Sequence, residues 1–211
     1  MRTLISLTLT LAALGLSACG YVTEEETGAT IQTSPEVSAP VEGPEAPAFE
    51  LTGTDGETHS LADAMAGGRI VVLEWFYPDC PVVKAYHDPG KMAATHAAVA
   101  GDALVWLAVN SGAPGKQGHG AQRNADAVAA WSLPYPVLLD ESGEVGKAYD
   151  ASNTPHMFVV RDGRIAYQGA IDDSKSARDG VNYVEAAVAS LRAGEPVATP
   201  STQSFGCQVK Y

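Results

Sequence analysis

Residues 69–84 read Arg-Ile-Val-Val-Leu-Glu-Trp-Phe-Tyr-Pro-Asp-Cys-Pro-Val-Val-Lys. The first half, Arg69 to Phe76, is a β-branched and aromatic run suited to a central strand covered on both faces. The run stops at Tyr77-Pro78-Asp79, and Pro81 opens a new segment. Proline is favoured at the first helical position, where its fixed φ and missing N–H do no harm. Cys80 is therefore expected as the N-cap at a strand-to-helix junction, the place beyond a strand's carboxyl end where open α/β sheets bind ligands. The free amides of Val82 and Val83 would face its sulfur, with Lys84 one turn further along. A helix N-terminus and a nearby cation both favour the thiolate, the form a thiol nucleophile needs. The competing expectation is an inert core cysteine. A polar junction bracketed by Pro78 and Pro81 is a poor place to bury a side chain, which favours reactivity.

The flanking chain alternates strands and helices. Ala48 to Leu51 and Asp55-Gly56 suggest a short strand and a turn, and Ser60-Leu61-Ala62-Asp63 a capped helix start. A helical segment from Pro81 to Ala100 is interrupted at Asp88-Pro89-Gly90, and Ala103 to Val109 is a second buried strand. An alanine-rich helix over 121–131 and a strand from Pro136 to Leu139 follow. His156 to Val160 and Arg164 to Gly169 form a hairpin about Asp162-Gly163. Val181, Val184, Val188 and Leu191 mark the apolar stripe of a last helix, Val181 to Arg192, ending at Gly194. This order predicts an α/β sandwich.

At 211 residues the chain accommodates one domain and additional segments. Lys and Arg total 13 against 25 Asp and Glu, and a net charge of −12 repels a phosphate backbone, so nucleic acid is not an expected partner. Leu4 to Leu16 is too short to span a bilayer, which needs roughly 20 apolar residues. With Arg2 before it, that stretch has the form of a signal peptide over residues 1–18. Leu16-Ser17-Ala18-Cys19 resembles the lipobox of bacterial lipoproteins, which implies lipidation of Cys19 and a membrane partner through that anchor. The resemblance places the protein in the bacterial cell envelope, facing the periplasm, and Gly20 after the cysteine points to the outer membrane. Residues 19–46, rich in Glu, Thr, Pro, Ser and Gly, read as a flexible tether to a domain over 47–211.

Trp75-Phe76, Cys80-Pro81 and the later Asn153-Thr154-Pro155-His156-Met157-Phe158-Val159-Val160 together resemble the thioredoxin-like redoxins, a superfamily that includes peroxiredoxins and membrane-tethered thiol-disulfide proteins. Pro47-Ala48-Phe49-Glu50-Leu51 with Asp55-Gly56 is similar to the start of the redoxin domain. The resemblance implies a thioredoxin-like fold, a central mixed β-sheet flanked by helices. It makes Pro155 a cis proline beside the reactive cysteine and Thr154 the presenter of backbone groups to substrate, with Tyr77 and Pro81 also bordering the substrate. Two positions depart from the family pattern. Position 83 is Val, so Cys80 has no second cysteine at Cys-x-x-Cys spacing. Tyr77 stands where peroxiredoxins carry Thr or Ser, though its hydroxyl is also a donor.

With Cys19 assigned to lipid, Cys80 and Cys207 are the remaining thiols. In one reading Cys80 is the nucleophile, Lys84 an activator and Cys207 the resolving thiol of an oxidoreductase. Its substrate is a peroxide or a disulfide, a thiol reductant recycles it, and no cofactor is required. A tail position near the terminus is expected to be mobile enough for exchange. In the other reading, Cys80–Cys207 is a structural disulfide in a non-catalytic thioredoxin-fold binding module, with copper as a candidate ligand. His87, seven residues past Cys80, is expected to be partly exposed or to pack on Tyr86, and His156 to approach the site.

Overall fold

A computed structural model describes residues 40–174 and 180–211; the expected signal peptide, Cys19 and most of the expected tether fall outside the described residues. From Glu50 onward the chain forms β1 (Glu50–Thr52), β2 (Thr58–Ser60), α1 (Leu61–Met65), β3 (Ile70–Trp75), α2 (Pro81–His87), α3 (Lys91–Val99) and β4 (Leu104–Asn110). Then come α4 (Ala121–Trp131), β5 (Val137–Leu139), α5 (Glu144–Ala148), β6 (Asn153–Thr154), β7 (His156–Arg161), β8 (Arg164–Gly169), α6 (Tyr183–Arg192) and β9 (Cys207–Gln208). Five strands make the central sheet in the order β5-β4-β3-β7-β8. β3, β4 and β5 are parallel, while β7 runs antiparallel to β3, and β8 to β7. The expected central mixed sheet flanked by helices is the observed fold.

All six residues of β3 are buried because both faces are covered. Ile70 and Val72 pack with residues of α2, α3, α4 and α6. Val71, Leu73 and Trp75 point to the other face, against Phe49, Leu61, Ala64 and Tyr149. Burial of each such aliphatic side chain contributes about 1.5–3 kcal/mol. Asp162 and Gly163 turn the β7–β8 hairpin with φ of 52° and 74°, the left-handed pair that matches the twist of its strands. Ser60 caps α1, its Oγ accepting from Asp63 N at 3.0 Å.

Three boundaries differ from those read in the sequence. The first strand continues as a hairpin, β1 with β2. Val181 is 58% exposed and precedes the last helix, because Asn182 Oδ1 accepts from Glu185 N at 3.0 Å and caps α6 at Tyr183. The domain's contacts also begin before residue 47. Ile165 N donates to Pro44 O at 2.9 Å, Ala46 N to Gly163 O at 2.8 Å, and Ala46 is buried. The backbone of 44–46 supplies these bonds whatever its side chains, so a composition typical of tethers does not reveal them. Among the described residues, no helix is long and apolar enough to cross a membrane.

Candidate active site

Cys80 leaves the end of the central strand through a turn, its N–H donating to Tyr77 O at 3.1 Å. It is the N-cap of α2, with extended φ and ψ of −69° and 122°, and Pro81 follows at the first helical position. Its sulfur makes no conventional capping bond; as a thiol, Sγ donates to Thr154 O at 3.2 Å. Thr154 lies in β6, and the Thr154–Pro155 peptide bond is cis, as the family resemblance implies. Cys80 is wholly buried, 0% exposed.

The element that covers Cys80 comes from the far end of the chain. β9 pairs antiparallel with β6, placing Cys207 opposite Thr154 and Gln208 opposite Asn153. Gly206 makes this approach feasible: its φ is 142°, and a Cβ there would lie 2.0 Å from Thr154 O. Beyond the pair, Val209 N donates to Ser152 O at 3.0 Å and Ala113 N to Lys210 O at 2.8 Å. Tyr211 Oη donates to Ala151 O at 2.7 Å. The expectation of a mobile tail is therefore corrected: the last five residues form a fixed strap, because their backbone groups are paired with neighbouring segments.

Within this strap the two cysteines are neighbours, Cys80 Sγ reaching Thr154 O at 3.2 Å and Cys207 pairing with Thr154, and each shifts the ionisation of the other. Burial disfavours the Cys80 thiolate, but the polar groups around the sulfur outweigh it, and the thiol is held below its ordinary value. These groups are the Cys207 side chain, the Val83 amide, Thr154 and the Cys207 backbone. For Cys207, burial, its hydrogen bond to Cys80 and the Cys80 charge push the thiol up to about 11. The Val82 amide and Lys210 oppose that rise. The two amides expected to serve Cys80 together are thus divided, Val83 for Cys80 and Val82 for Cys207.

Lys84, the expected activator, is half-buried and is not among the groups that lower Cys80. Its place is taken by hydrogen-bond donors, and Lys210 is the cation acting on the pair, through Cys207. Lys210 Nζ also sits 5.7 Å from the centre of the Tyr77 ring. Tyr77 is buried, and its hydroxyl is shifted upward by burial, Asp79 and the two cysteines. Pro81 is exposed at the rim, while Asp79 pairs with Arg123. Sequence reasoning missed Lys210 because only the β6–β9 pairing carries it to the cysteines. A β-branched and polar run before the C-terminus, Gln208-Val209-Lys210-Tyr211, was the available signal.

Two histidines lie elsewhere than expected. His87 is buried, with Nε2 2.9 Å from Glu74 Oε1, and stacks on Trp131 at 4.6 Å. Glu74, 0% exposed, also accepts from Tyr135 Oη at 3.3 Å and Trp106 Nε1 at 3.4 Å. His156 sits one residue past Pro155, but its ring packs on Phe158 at 4.4 Å and Nδ1 is buried without a partner. Burial pushes its pKa down to about 4, against a smaller opposing effect of Asp150. No three His, Cys, Asp or Glu side chains converge in a metal-binding group among the described residues.

A mixed sheet of this topology, with a poised cysteine at the head of a helix facing a cis-proline loop, defines the class of thioredoxin-fold thiol oxidoreductases. The sequence profile of the Redoxin family matches residues 41–185, and the chain belongs to that family. The match ends before β9, so Cys207 and Lys210 lie outside it. No curated protein matches the sequence. Among solved structures, an uncharacterized conserved protein from Geobacillus kaustophilus is 29% identical, with a TM-score of 0.70 over 82% of this chain and 92% of that one. A hypothetical protein from Sinorhizobium meliloti is 27% identical, with a TM-score of 0.68 over 82% and 96%. The peroxidoxin BcpB from Mycobacterium tuberculosis, 20% identical with a TM-score of 0.50 over 72% and 96%, shares the fold.

Proposed function

We propose that this redoxin performs thiol–disulfide exchange by cycling Cys80 and Cys207 between a dithiol and an intramolecular disulfide. The observation that carries the reading is the β6–β9 pairing, which sets Cys207 opposite Thr154, the residue whose carbonyl accepts from Cys80 Sγ at 3.2 Å. Cys80 and Cys207 are the two exchanging sulfurs, with Cys80 carrying the stabilised thiolate of the pair. In the oxidising half-reaction a substrate disulfide takes two electrons and leaves as two thiols while the Cys80–Cys207 bond forms. Reduction by an external thiol reverses it. Thr154 and Pro155 border the reacting sulfurs, with Tyr77 and Pro81 at the rim. Stabilising the Cys80 thiolate favours the reduced form, which suits a pair that exchanges over an inert staple.

The test is to offer the reduced full chain oxidised glutathione and hydrogen peroxide in separate reactions and map the products by mass spectrometry. Exchange is supported by an 80–207 bridge formed with glutathione disulfide. Peroxide reduction replaces it if the bridge forms with peroxide alone, and absence of the bridge in both reactions rejects the redox reading. For localisation we propose lipidation of Cys19 and anchoring in the bacterial envelope on the periplasmic side, supported by the lipobox-like Leu16-Ser17-Ala18-Cys19. Cys19→Ser is expected to move the protein from the membrane fraction to the soluble fraction, and unchanged partitioning rejects the anchor.

A further inference from the structure

Thiolate character and access are separated in this site. Cys80 has the stabilised anion but no exposed surface, whereas Cys207, in β9, is partly exposed. Backbone pairing of Cys207 with Thr154 covers Cys80, and the carbonyl of Thr154 occupies the sulfur's hydrogen-bonding direction. An incoming sulfur therefore meets Cys207 first. Exchange rates depend on which sulfur is accessible and on how good a leaving group the other one is. Both conditions point the same way: Cys207 is the reachable sulfur, and Cys80 is the sulfur whose anion the site stabilises.

We propose that the external disulfide or thiol is joined covalently at Cys207, while buried Cys80 serves as proton acceptor and then as internal thiolate. The proposal rests on the Cys80–Cys207 exchange reading. In the oxidising direction, Cys207 Sγ attacks one sulfur of the substrate disulfide and passes its proton to the neighbouring Cys80 thiolate, both cysteines lying against Thr154. The second substrate sulfur leaves as a thiolate and takes a proton from solvent. Cys80 then releases its proton, and its thiolate attacks Cys207 Sγ, breaking the mixed disulfide and freeing the substrate sulfur first attacked, as a thiolate. A thiol and a thiolate have together lost two electrons and one proton, and one disulfide, with that proton and one from solvent, has become two thiols. In the reducing direction an external thiolate attacks Cys207, drawn by the Lys210 ammonium, and Cys80 departs as the stabilised anion. A cysteine in the strap beyond the family match thus carries the partner, and the helix-cap cysteine stays inside.

Cys80→Ser and Cys207→Ser variants of the full chain, incubated with oxidised glutathione at mildly alkaline pH, test this by intact-mass spectrometry. Glutathione is expected to add to Cys207 in Cys80→Ser about tenfold or more faster than to Cys80 in Cys207→Ser. Equal or reversed rates overturn the proposal. The oxidised wild-type chain, treated with reduced glutathione and quenched with acid, gives a second readout. Glutathione on the Cys207 peptide supports attachment there; glutathione on the Cys80 peptide overturns it while leaving the exchange reading intact. Failure of the wild-type chain to form the 80–207 bridge overturns both.

Discussion

Cys80 owes its character to neighbours that are remote in sequence. Burial opposes its ionisation, yet donors from Cys207, Val83 and Thr154 prevail. Removing one of them is expected to raise its titration midpoint. Cys207→Ala and Thr154→Val should each move the ultraviolet thiolate titration upward, and an unchanged midpoint in both would show that the helix terminus alone sets it. His156 illustrates the opposite case, a base whose burial favours the neutral form. The folded state holds it neutral down to about pH 4, whereas the unfolded chain takes up a proton below about 6.5. Its contribution is thus fully present above the unfolded value and is lost as pH falls from about 6.5 to about 4. Between about pH 7 and pH 5 this amounts to about 2 kcal/mol. His156→Phe should reduce the acid-induced loss of stability by that amount, measured by urea unfolding at the two pH values.

At the scale of elements, two connections place α2 and the strap. His87 at the end of α2 is tied to Glu74 of β3, beneath the rings of Trp131 and Phe76. His87→Ala leaves a buried carboxyl with two long hydrogen bonds and a void, and is expected to cost about 3–5 kcal/mol in chemical denaturation. Glu74→Gln, which keeps shape and an acceptor, should cost less. The strap is fastened at its end by Tyr211, whose ring lies over Gly146; a Cβ at Gly146 would fall 2.6 Å from Tyr211 Oη. Tyr211→Ala should leave the global unfolding midpoint nearly unchanged but raise Cys80 alkylation about tenfold by local opening of β9. An unchanged alkylation rate would show that β6–β9 pairing alone keeps Cys80 covered.

For the whole molecule, the sheet's two covered faces set where the domain begins. Segment 44–46 lies along the β7–β8 hairpin at the edge of the sheet, through two backbone hydrogen bonds. Each contributes about 0.5–1.5 kcal/mol, so a chain starting at Pro47 should be about 1–3 kcal/mol less stable than one starting at Pro40. Equal urea midpoints for the two chains would assign those bonds no net weight.

Apolar periodicity made the sheet and most helices readable before any coordinates, because burial on both faces demands continuous runs such as Ile70 to Trp75. Pro81 likewise announced the helix cap, since proline's constraint is local. The short elements β2, α5, β6 and β9 left little trace, as two to five residues carry too little pattern and rely on pairing partners. The burial of His87 and the placement of Lys210 escaped for a related reason: both depend on segments far apart in the chain. Local chemistry in the sequence thus settled the fold and named Cys80. Meeting Cys207 and disappearing beneath a strap required the folded chain, because hydrogen bonds between remote segments set those features.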